Sequence, residues 1–405
     1  MPQIFEGEVA GALSDVWNSE AFISEHGYFL KFCKALGGWF IWNGKRWALD
    51  EKMQVMTRAK LTMKEIVDIG RRENQIQIVN HGIKCQSEPR INAMIKLSKD
   101  RVCKLASDFD THKWYVNCLS GTIDLESGTR LQHNPENLIT KIIECNYEPY
   151  KEGMCPLWIQ FLKEIFDGDD DLIKFMQKSL GYTLSGDVSE QCMFILYGDG
   201  LNGKSTFLGI IERIMSEYAK TVRPEVFMIK HFDQIPNEIA NMNGARLIRS
   251  QEPDSNRTLA ESIVKQLTSS DPISARFLNK EFFKFMPTFK IFLATNEKPE
   301  IKGTNKGIWR RIKMIPFLKN FEGCADKQLI DKLDKEKDGI FSWMVEGFKL
   351  WQKEGLNNPK SVEAAILDYK ESFDVLGEFI ADECELIYGE KERLKDIHNR
   401  LIIWL

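Results

Sequence analysis

One glycine-rich segment constrains this 405-residue chain more than any other feature. The apolar run Met193–Tyr197 is followed by GDGLNGKS, residues 198–205, which fits the pattern GxxxxGK[ST] and leads into an amphipathic run. In this pattern, glycines let backbone N–H groups turn inward around phosphates at a helix N-terminus, and the lysine reaches the terminal phosphates. A purely structural glycine turn is the alternative, but the strand before the motif and the helix after it are what a P-loop requires.

The motif therefore predicts a P-loop site for ATP and Mg²⁺, in which Lys204 contacts the terminal phosphates and Ser205 holds the metal ion. The residues expected to contact the nucleotide are consecutive in the chain: Gly198, Asp199, Gly200, Leu201, Asn202, Gly203, Lys204, Ser205 and Thr206.

Two later apolar runs each end in a polar side chain. Residues 244–252 (GARLIRSQE) predict a strand that ends in Glu252, which we interpret as the general base and as a support for Mg²⁺. Residues 290–299 (KIFLATNEKP) predict another strand, after which Asn296 would orient the attacking water. The alternatives are an exposed glutamate at a strand end and an asparagine that caps a turn. Arg249 is unexpected inside a buried parallel strand, and the sequence offers no reason for it.

A pair of arginines follows these motifs. GIWRRIKMIPF contains Arg310 and Arg311, and an arginine that stabilises transition-state charge raises the rate of phosphoryl transfer by ~10³ to 10⁵. Such a pair is often only a surface feature, but its order after the other motifs favours a catalytic role. Residues 274–313 hold ten Lys and Arg against three acids, although the net charge is -4. We therefore expect any nucleic-acid surface to be local.

The pattern of apolar runs predicts an α/β fold. Strands alternate with amphipathic helices over residues 191–316, which is typical of a largely parallel sheet covered by helices. Because single hydrophobic cores stop growing near ~250 to 300 residues, we expect several domains. The expected division is a mainly helical N-terminal domain (1–114), connecting strands and helices (115–181), a P-loop ATPase core (182–320), and a helical C-terminal segment (321–405) in which a winged-helix domain would begin.

An aromatic hairpin is predicted near the N-terminus. WFIWNGKRW, residues 39–47, places Asn43 and Gly44 between two aromatic runs, the usual signal for a type I′ turn. Its tryptophans could stack on bases, but packing is the commoner use of such residues.

The cysteines and the apolar runs bear on location. Nine cysteines without CxxC or Cys/His ligand spacing predict reduced thiols rather than disulfides or a zinc site. No run of about 18 apolar residues and no basic leader with an apolar core are present, so we expect a cytoplasmic protein with no membrane partner.

Together these motifs resemble the superfamily 3 helicases, in particular the phage, plasmid and poxvirus-type primase-helicases. The resemblance covers roughly residues 115–385 and includes CLSGTIDLESGTRL, YGDGLNGKSTF, FMPTFKIFLATNEKPEIKG and GIWRRIKMIPF. It implies an AAA+ type core in a hexameric ring that moves 3′ to 5′ on single-stranded DNA and unwinds forked duplexes during replication. It also implies a possible primase partner, fused or separate, and for a viral protein the cytoplasm of the host cell.

The resemblance assigns roles to particular residues. Gly203, Lys204 and Ser205 match the Walker A motif, Glu252 the Walker B acid, Asn296 the sensor, and Arg311 or Arg310 the finger that a neighbouring subunit supplies. The resemblance also places a hairpin in the ring channel, here ISARFLNKEFFKF. Three basic residues of that hairpin are candidates for contacting DNA phosphates: Arg276, Lys280 and Lys284.

The sequence departs from the family pattern in three places. Thr268–Asp271 reads TSSD where the family commonly has TGGD, and serine lacks the freedom of glycine at positive φ. At the Walker B position the family has two adjacent acids, whereas this chain has Gln251 followed by Glu252. Support of the Mg²⁺ ion would therefore depend on Glu252 alone or on Glu252 with Asp254. No acidic metal-binding constellation precedes the helicase region, so we expect no priming activity from this chain.

Two other functions remain open. A P-loop kinase would need a lid and an acceptor pocket rather than a late arginine pair and a basic hairpin. An origin-binding initiator or helicase loader would use ATP as an assembly switch, and a complete C-terminal winged-helix domain would distinguish it.

Overall fold

The computed structural model describes residues 13–229, 237–251, 258–278, 281–301, 306–324, 326–372, 379–380, 382–385, 387 and 389–404. The chain divides into two compact units. The first comprises the residues up to Ile123 together with Arg130–Ile142, and the second comprises Asp124–Thr129 and Ile143–Leu405. No helix within the described ranges is both long enough and apolar enough to cross a membrane.

The first unit combines helices with small sheets. Its helices are α1 (Asp15–His26), α2 (Gln54–Arg72), α3 (Ile76–Lys84) and α4 (Glu88–Leu97). One sheet has the order β1-β2-β3 and is antiparallel, with β1 (Leu30–Cys33), β2 (Gly38–Trp42) and β3 (Trp47–Leu49). The other has the order β4-β5-β6 and reaches the boundary of the unit, with β4 (Tyr115–Cys118), β5 (Gly121–Asp124) and β6 (Thr129–Leu131).

The predicted hairpin is confirmed in β2 and β3, but the predicted turn type is wrong. Asn43 N donates to Arg46 O at 3.1 Å, so the two central residues of the turn are Gly44 and Lys45. A type I′ turn needs positive φ at both central residues, and only Gly44 has it, at 92°. Asn43 is instead the first residue of the turn, and its Oδ1 accepts hydrogen bonds from the backbone N atoms of Lys45 and Arg46 at 2.9 Å each. Asn43 therefore stabilises the turn through its side chain, instead of being one of the two central residues.

The tryptophans of this hairpin contribute to packing. Trp47 is completely buried and its Nε1 donates to Pro135 O at 2.8 Å, within the first unit. Its ring lies 5.8 Å from that of Trp42, and Trp39 meets Phe32 edge-on at 5.3 Å. Packing is thus the role that the structure gives Trp47.

A five-stranded parallel sheet forms the centre of the second unit, which confirms the predicted α/β fold class. The unit's strands are β7 (Met193–Tyr197), β8 (Ala219–Thr221), β9 (Leu247–Gln251), β10 (Ile273–Ala275), β11 (Phe283–Phe285), β12 (Lys290–Thr295) and β13 (Ile312–Pro316). The sheet has the order β13-β7-β12-β9-β8 and every pairing in it is parallel, while β10 and β11 form a separate antiparallel hairpin. Every residue of β12 is buried, as expected for a parallel strand covered on both faces.

The second unit also contains a series of helices. Those described are α5 (Pro156–Ile165), α6 (Asp170–Leu184), α7 (Lys204–Met215), α8 (Asn237–Asn241), α9 (Glu261–Leu267), α10 (Lys306–Trp309), α11 (Leu329–Asp334), α12 (Lys337–Glu354), α13 (Lys360–Glu371) and α14 (Leu394–Trp404).

Two glycines bring α6 and α12 into close contact. A Cβ on Gly181 would lie 2.1 Å from Phe348 N, and a Cβ on Gly347 would lie 2.1 Å from Gln177 O. Because backbone atoms stand at both places, any larger residue would have to push the two helices apart. The pair therefore fixes the distance between the helices that precede and follow the sheet in sequence.

Candidate nucleotide-binding site

The predicted P-loop lies at the carboxyl end of β7, where α7 begins at Lys204. Gly198 and Gly203 have φ values of 153° and 85°, in a region that other residues rarely adopt. A Cβ on Gly198 would lie 2.0 Å from Phe317 O, so no side chain fits there. The loop thus depends on its glycines both for backbone conformation and for space, and it turns the N-terminus of α7 toward the segment 198–203.

Lys204 is buried and folded over this loop. Its Nζ donates to Gly198 O at 2.6 Å and to Asn202 Oδ1 at 2.9 Å, which uses two of the three donors of an ammonium group. Burial lowers the pKa of Lys204, and the nearby Asp199 carboxylate opposes that shift. Asn202 Nδ2 in turn donates to Phe317 O at 2.8 Å. The P-loop lysine is therefore connected through Asn202 to the residue that follows β13.

The end of β9 contacts the start of α7. Gln251 Nε2 donates to Ser205 Oγ at 3.1 Å, and Gln251 Oε1 accepts from Arg249 Nη2 at 3.2 Å. Arg249 also donates through Nη1 to Glu212 of α7. These contacts explain the arginine that the sequence left unexplained, because its half-buried side chain pairs with the helix that covers the strand.

The strand order brings the predicted Asn296 to the carboxyl ends of the strands, on the same side of the sheet as the P-loop. β12 lies between β7 and β9, with Thr295 opposite Tyr197 and Ala294 opposite Gln251. Asn296 follows directly and is exposed. The predicted general base Glu252, and Asp254 with it, lie outside the described residues, where β9 ends at Gln251.

The P-loop and the carboxyl ends of β9 and β12 line one cavity of about 450 Å³. Ligand sites typically have volumes of ~300 to 1,000 Å³. The cavity is bordered by the P-loop from Gly200 to Thr206, by Gln251, and by Thr295 and Asn296. The remaining lining comes from α5 and from the segment after β13: Leu157, Gln160, Phe161, Glu164, Phe321, Cys324, Asp326 and Leu329, with Ala294 of β12. Sequence reasoning did not find this second group, because no motif or spacing connects it to the P-loop.

The arginine pair lies at the amino ends of the strands, on the side of the sheet opposite the P-loop. Arg310 and Arg311 precede β13, whose first residue Ile312 pairs with Met193 at the start of β7. A strand of five residues spans about 15 Å, so neither arginine is near the P-loop of this chain. Arg311 is 8% exposed and its Nη1 donates to Thr268 Oγ1 at 3.2 Å. Arg310 is exposed, although its Nη2 reaches Gln191 Oε1 at 3.1 Å. The structure thus gives Arg311 a packing contact and leaves Arg310 accessible.

The predicted basic hairpin is confirmed as β10 and β11. Arg276 lies with its guanidinium 4.8 Å from the centre of the Phe282 ring, and Lys284 is exposed opposite Ser274. Lys280 lies outside the described residues. Of the hairpin's phenylalanines, Phe285 packs in the core, whereas Phe282 is 55% exposed.

Two family models match the chain: D5 N terminal like over residues 19–167, and a family of unknown function (DUF5906) over residues 196–311. Putative helicase L207/L206 of Acanthamoeba polyphaga mimivirus is 28% identical over 326 residues, which cover 73% of this chain and 33% of that protein. Primase D5 of fowlpox virus is 26% identical over 241 residues, which cover 56% of this chain and 30% of that protein. The aligned part of the chain therefore spans about a third of the length of these relatives.

Two further proteins are similar to parts of this chain. Putative helicase 022R of Frog virus 3 is 23% identical over 259 residues, which cover 59% of this chain and 26% of that protein. A solved structure of the C-terminal region of NrS-1 aligns with a TM-score of 0.47 and 12% identity, over 60% of this chain and 62% of that one. The resemblance to poxvirus-type primase-helicases predicted from the motifs is confirmed by the matched relatives and the D5 N terminal like region.

Proposed function

We propose that this relative of viral helicases and primases is an ATP-dependent DNA helicase of superfamily 3 that unwinds duplex DNA during replication. The observation that carries the proposal is the meeting of Lys204, Ser205, Gln251 and Asn296 around one cavity at the carboxyl ends of three adjacent parallel strands. In parallel α/β sheets, this edge is where ligands bind. A phosphate-binding loop at a helix N-terminus, within an AAA+ type core, makes a nucleoside triphosphate the fitting ligand.

The residues suit ATP and Mg²⁺. The N–H groups at the start of α7 would hold phosphate oxygens, and Lys204 would exchange a loop contact for one with the terminal phosphate. No three potential metal-ligating side chains cluster within the described ranges, and Mg²⁺ at phosphate sites needs few protein ligands because it keeps several waters. Ser205 would hold the ion, which supplies neutralising charge on the phosphate oxygens. Glu252 would accept a proton from the attacking water, and Asn296 would orient that water.

The position of the arginine pair supports a shared site. Arg310 and Arg311 are a full strand length from the P-loop of their own subunit, so either would act only on a neighbour's nucleotide. A ring, hexameric by resemblance, provides such neighbours at every subunit. Single-stranded DNA would then pass the β10–β11 hairpin, where Arg276, Lys280 and Lys284 would contact its phosphates. A primase, fused or separate, would supply the priming that we do not expect from this chain.

The test is an unwinding assay on a forked duplex with ATP and Mg²⁺, run beside a mass measurement of the assembly. The expected result is ATP-dependent strand separation by a ring oligomer, lost in Lys204→Ala. ATP-dependent assembly on DNA without strand separation would instead indicate an initiator or loader. A monomer that phosphorylates a small acceptor would indicate a kinase, and absence of ATP binding would remove the proposal.

A further inference from the structure

A chain of polar contacts joins α7 and β9 beside the P-loop. It begins at Glu212 in the last turns of α7, passes through Arg249 and Gln251 of β9, and returns to α7 at Ser205. Glu212 also accepts a hydrogen bond from Thr221 Oγ1 at the end of β8. The contacts therefore tie the helix that carries the metal-binding hydroxyl to two strands of the sheet.

The arginine determines which way the Gln251 amide faces. A guanidinium group only donates hydrogen bonds, so the Gln251 atom that faces Arg249 has to be the oxygen Oε1. The nitrogen Nε2 then faces Ser205, and the Ser205 oxygen has to accept from it. One lone pair of that oxygen is used in this way, while no contact among the described residues occupies the other lone pair or the hydroxyl proton.

A carboxylate in place of Gln251 would act differently. A carboxylate is an acceptor only, so it would draw the hydroxyl proton of Ser205 toward itself instead of donating to the oxygen. The amide leaves that proton free for a phosphate oxygen and adds no negative charge. Arg249 adds no net charge either, because Glu212 neutralises it at a partly buried position.

We propose that Glu212 and Arg249 are positioning residues that lock the Gln251 amide, and that the locked amide orients Ser205 Oγ toward the Mg²⁺ of the bound nucleotide. This inference rests on the proposed ATPase site and adds to it a determinant of metal binding. Groups that orient a metal ligand in this way typically contribute 10- to 100-fold to metal affinity.

The test measures equilibrium binding of a fluorescent N-methylanthraniloyl ATP analogue, once with Mg²⁺ and once with EDTA. The variants are Gln251→Leu, which removes both hydrogen bonds at similar size, and Arg249→Lys, which keeps a cation for Glu212 but loses the planar fork. The matched control is Arg213→Gln. Arg213 follows Glu212 in the chain, and in the wild type it pairs with Asp331 at the surface. Thermal unfolding shows whether each variant is folded.

We expect all proteins to bind the analogue similarly in EDTA. Added Mg²⁺ should tighten binding in the wild type and in Arg213→Gln, and roughly 10-fold less in Gln251→Leu and Arg249→Lys. If the two variants gain as much from Mg²⁺ as the wild type, the positioning role is overturned. Should Arg249→Lys fail to fold, Gln251→Leu alone decides, because Gln251 is exposed. A wild type that binds no analogue in either condition would contradict the proposed function itself.

Discussion

Asn202 accepts a hydrogen bond from Lys204 Nζ at 2.9 Å while its own Nδ2 donates to Phe317 O at 2.8 Å. One buried amide therefore holds the P-loop lysine and also anchors the loop to the chain that leaves β13.

Asn202→Ala should lower the free energy of unfolding by roughly 1 to 3 kcal/mol, because Phe317 O would remain buried without this donor. It should also reduce ATP turnover, because the loop that carries Lys204 loses its hydrogen bond to Phe317 O. Urea unfolding and steady-state ATPase assays measure the two effects. Asn243→Ala, at an exposed position, is the matched control. An equal response of the two variants would contradict the anchoring role of Asn202.

Lys204→Ala should reduce ATP turnover to background and leave the melting temperature close to that of the wild type. The reason is that, within the described part of the chain, the Lys204 ammonium donates to two oxygens of its own loop, which phosphates would replace on binding. Phosphate release and thermal unfolding test the two parts. Persistent hydrolysis in the variant would refute the P-loop assignment.

Arg310→Ala and Arg311→Ala should differ in stability. Arg311→Ala removes a buried hydrogen bond to Thr268 and should cost roughly 1 to 3 kcal/mol, whereas Arg310→Ala changes an exposed side chain and should cost within about 0.5 kcal/mol. Chemical denaturation measures both. Equal losses would mean that the two arginines contribute to the fold in the same way.

Mixing subunits should identify which arginine completes the proposed shared site. Lys204→Ala subunits keep their arginines, and Arg310→Ala or Arg311→Ala subunits keep their P-loop, so mixed rings contain some complete sites. Partial recovery of ATPase activity is expected for the arginine that acts in trans. No recovery at any ratio with either variant would contradict a site shared between subunits.

Lys284→Ala should lower DNA-stimulated ATP turnover more than basal turnover. Lys284 is exposed on the hairpin, and each lost phosphate contact should reduce the salt dependence of single-strand binding by about 0.7 in log–log slope. Lys220→Ala, at an exposed position on β8, is the control. Equal losses of basal and stimulated turnover would count against the hairpin as the DNA contact.

Lys290 should make stability depend on pH. Burial, with Arg246 nearby, lowers the pKa of Lys290 well below its usual value, and Asp187 opposes that shift only in part. Between the lowered folded pKa and the unfolded value of about 10.4, the folded state binds fewer protons than the unfolded state, so stability rises with pH. Lys290→Met should remove that rise, which melting temperatures at neutral and alkaline pH would show. Parallel curves for variant and wild type would contradict it.

The sequence determined the P-loop and the type of sheet because both follow from local rules. Gly198 and Gly203 occupy backbone conformations that few other residues adopt, and continuous apolar runs such as that of β12 are typical of parallel strands buried on both faces. Asn296 could be placed at the ligand edge for the same reason, since carboxyl ends of parallel strands share one edge.

Tertiary structure decided the partners of these residues. The backbone N atoms of Leu157 and Trp158 at the start of α5 donate to the carboxylate of Glu336, which is about 180 residues away in sequence. The presence of Arg249 in a buried strand is explained only by the packing of α7, which places Glu212 against β9. The contact between Gln251 and Ser205 likewise depends on the order of the strands in the sheet. Such contacts join segments that are remote along the chain, and the burial of apolar surface selects them, so no local pattern of residues encodes them.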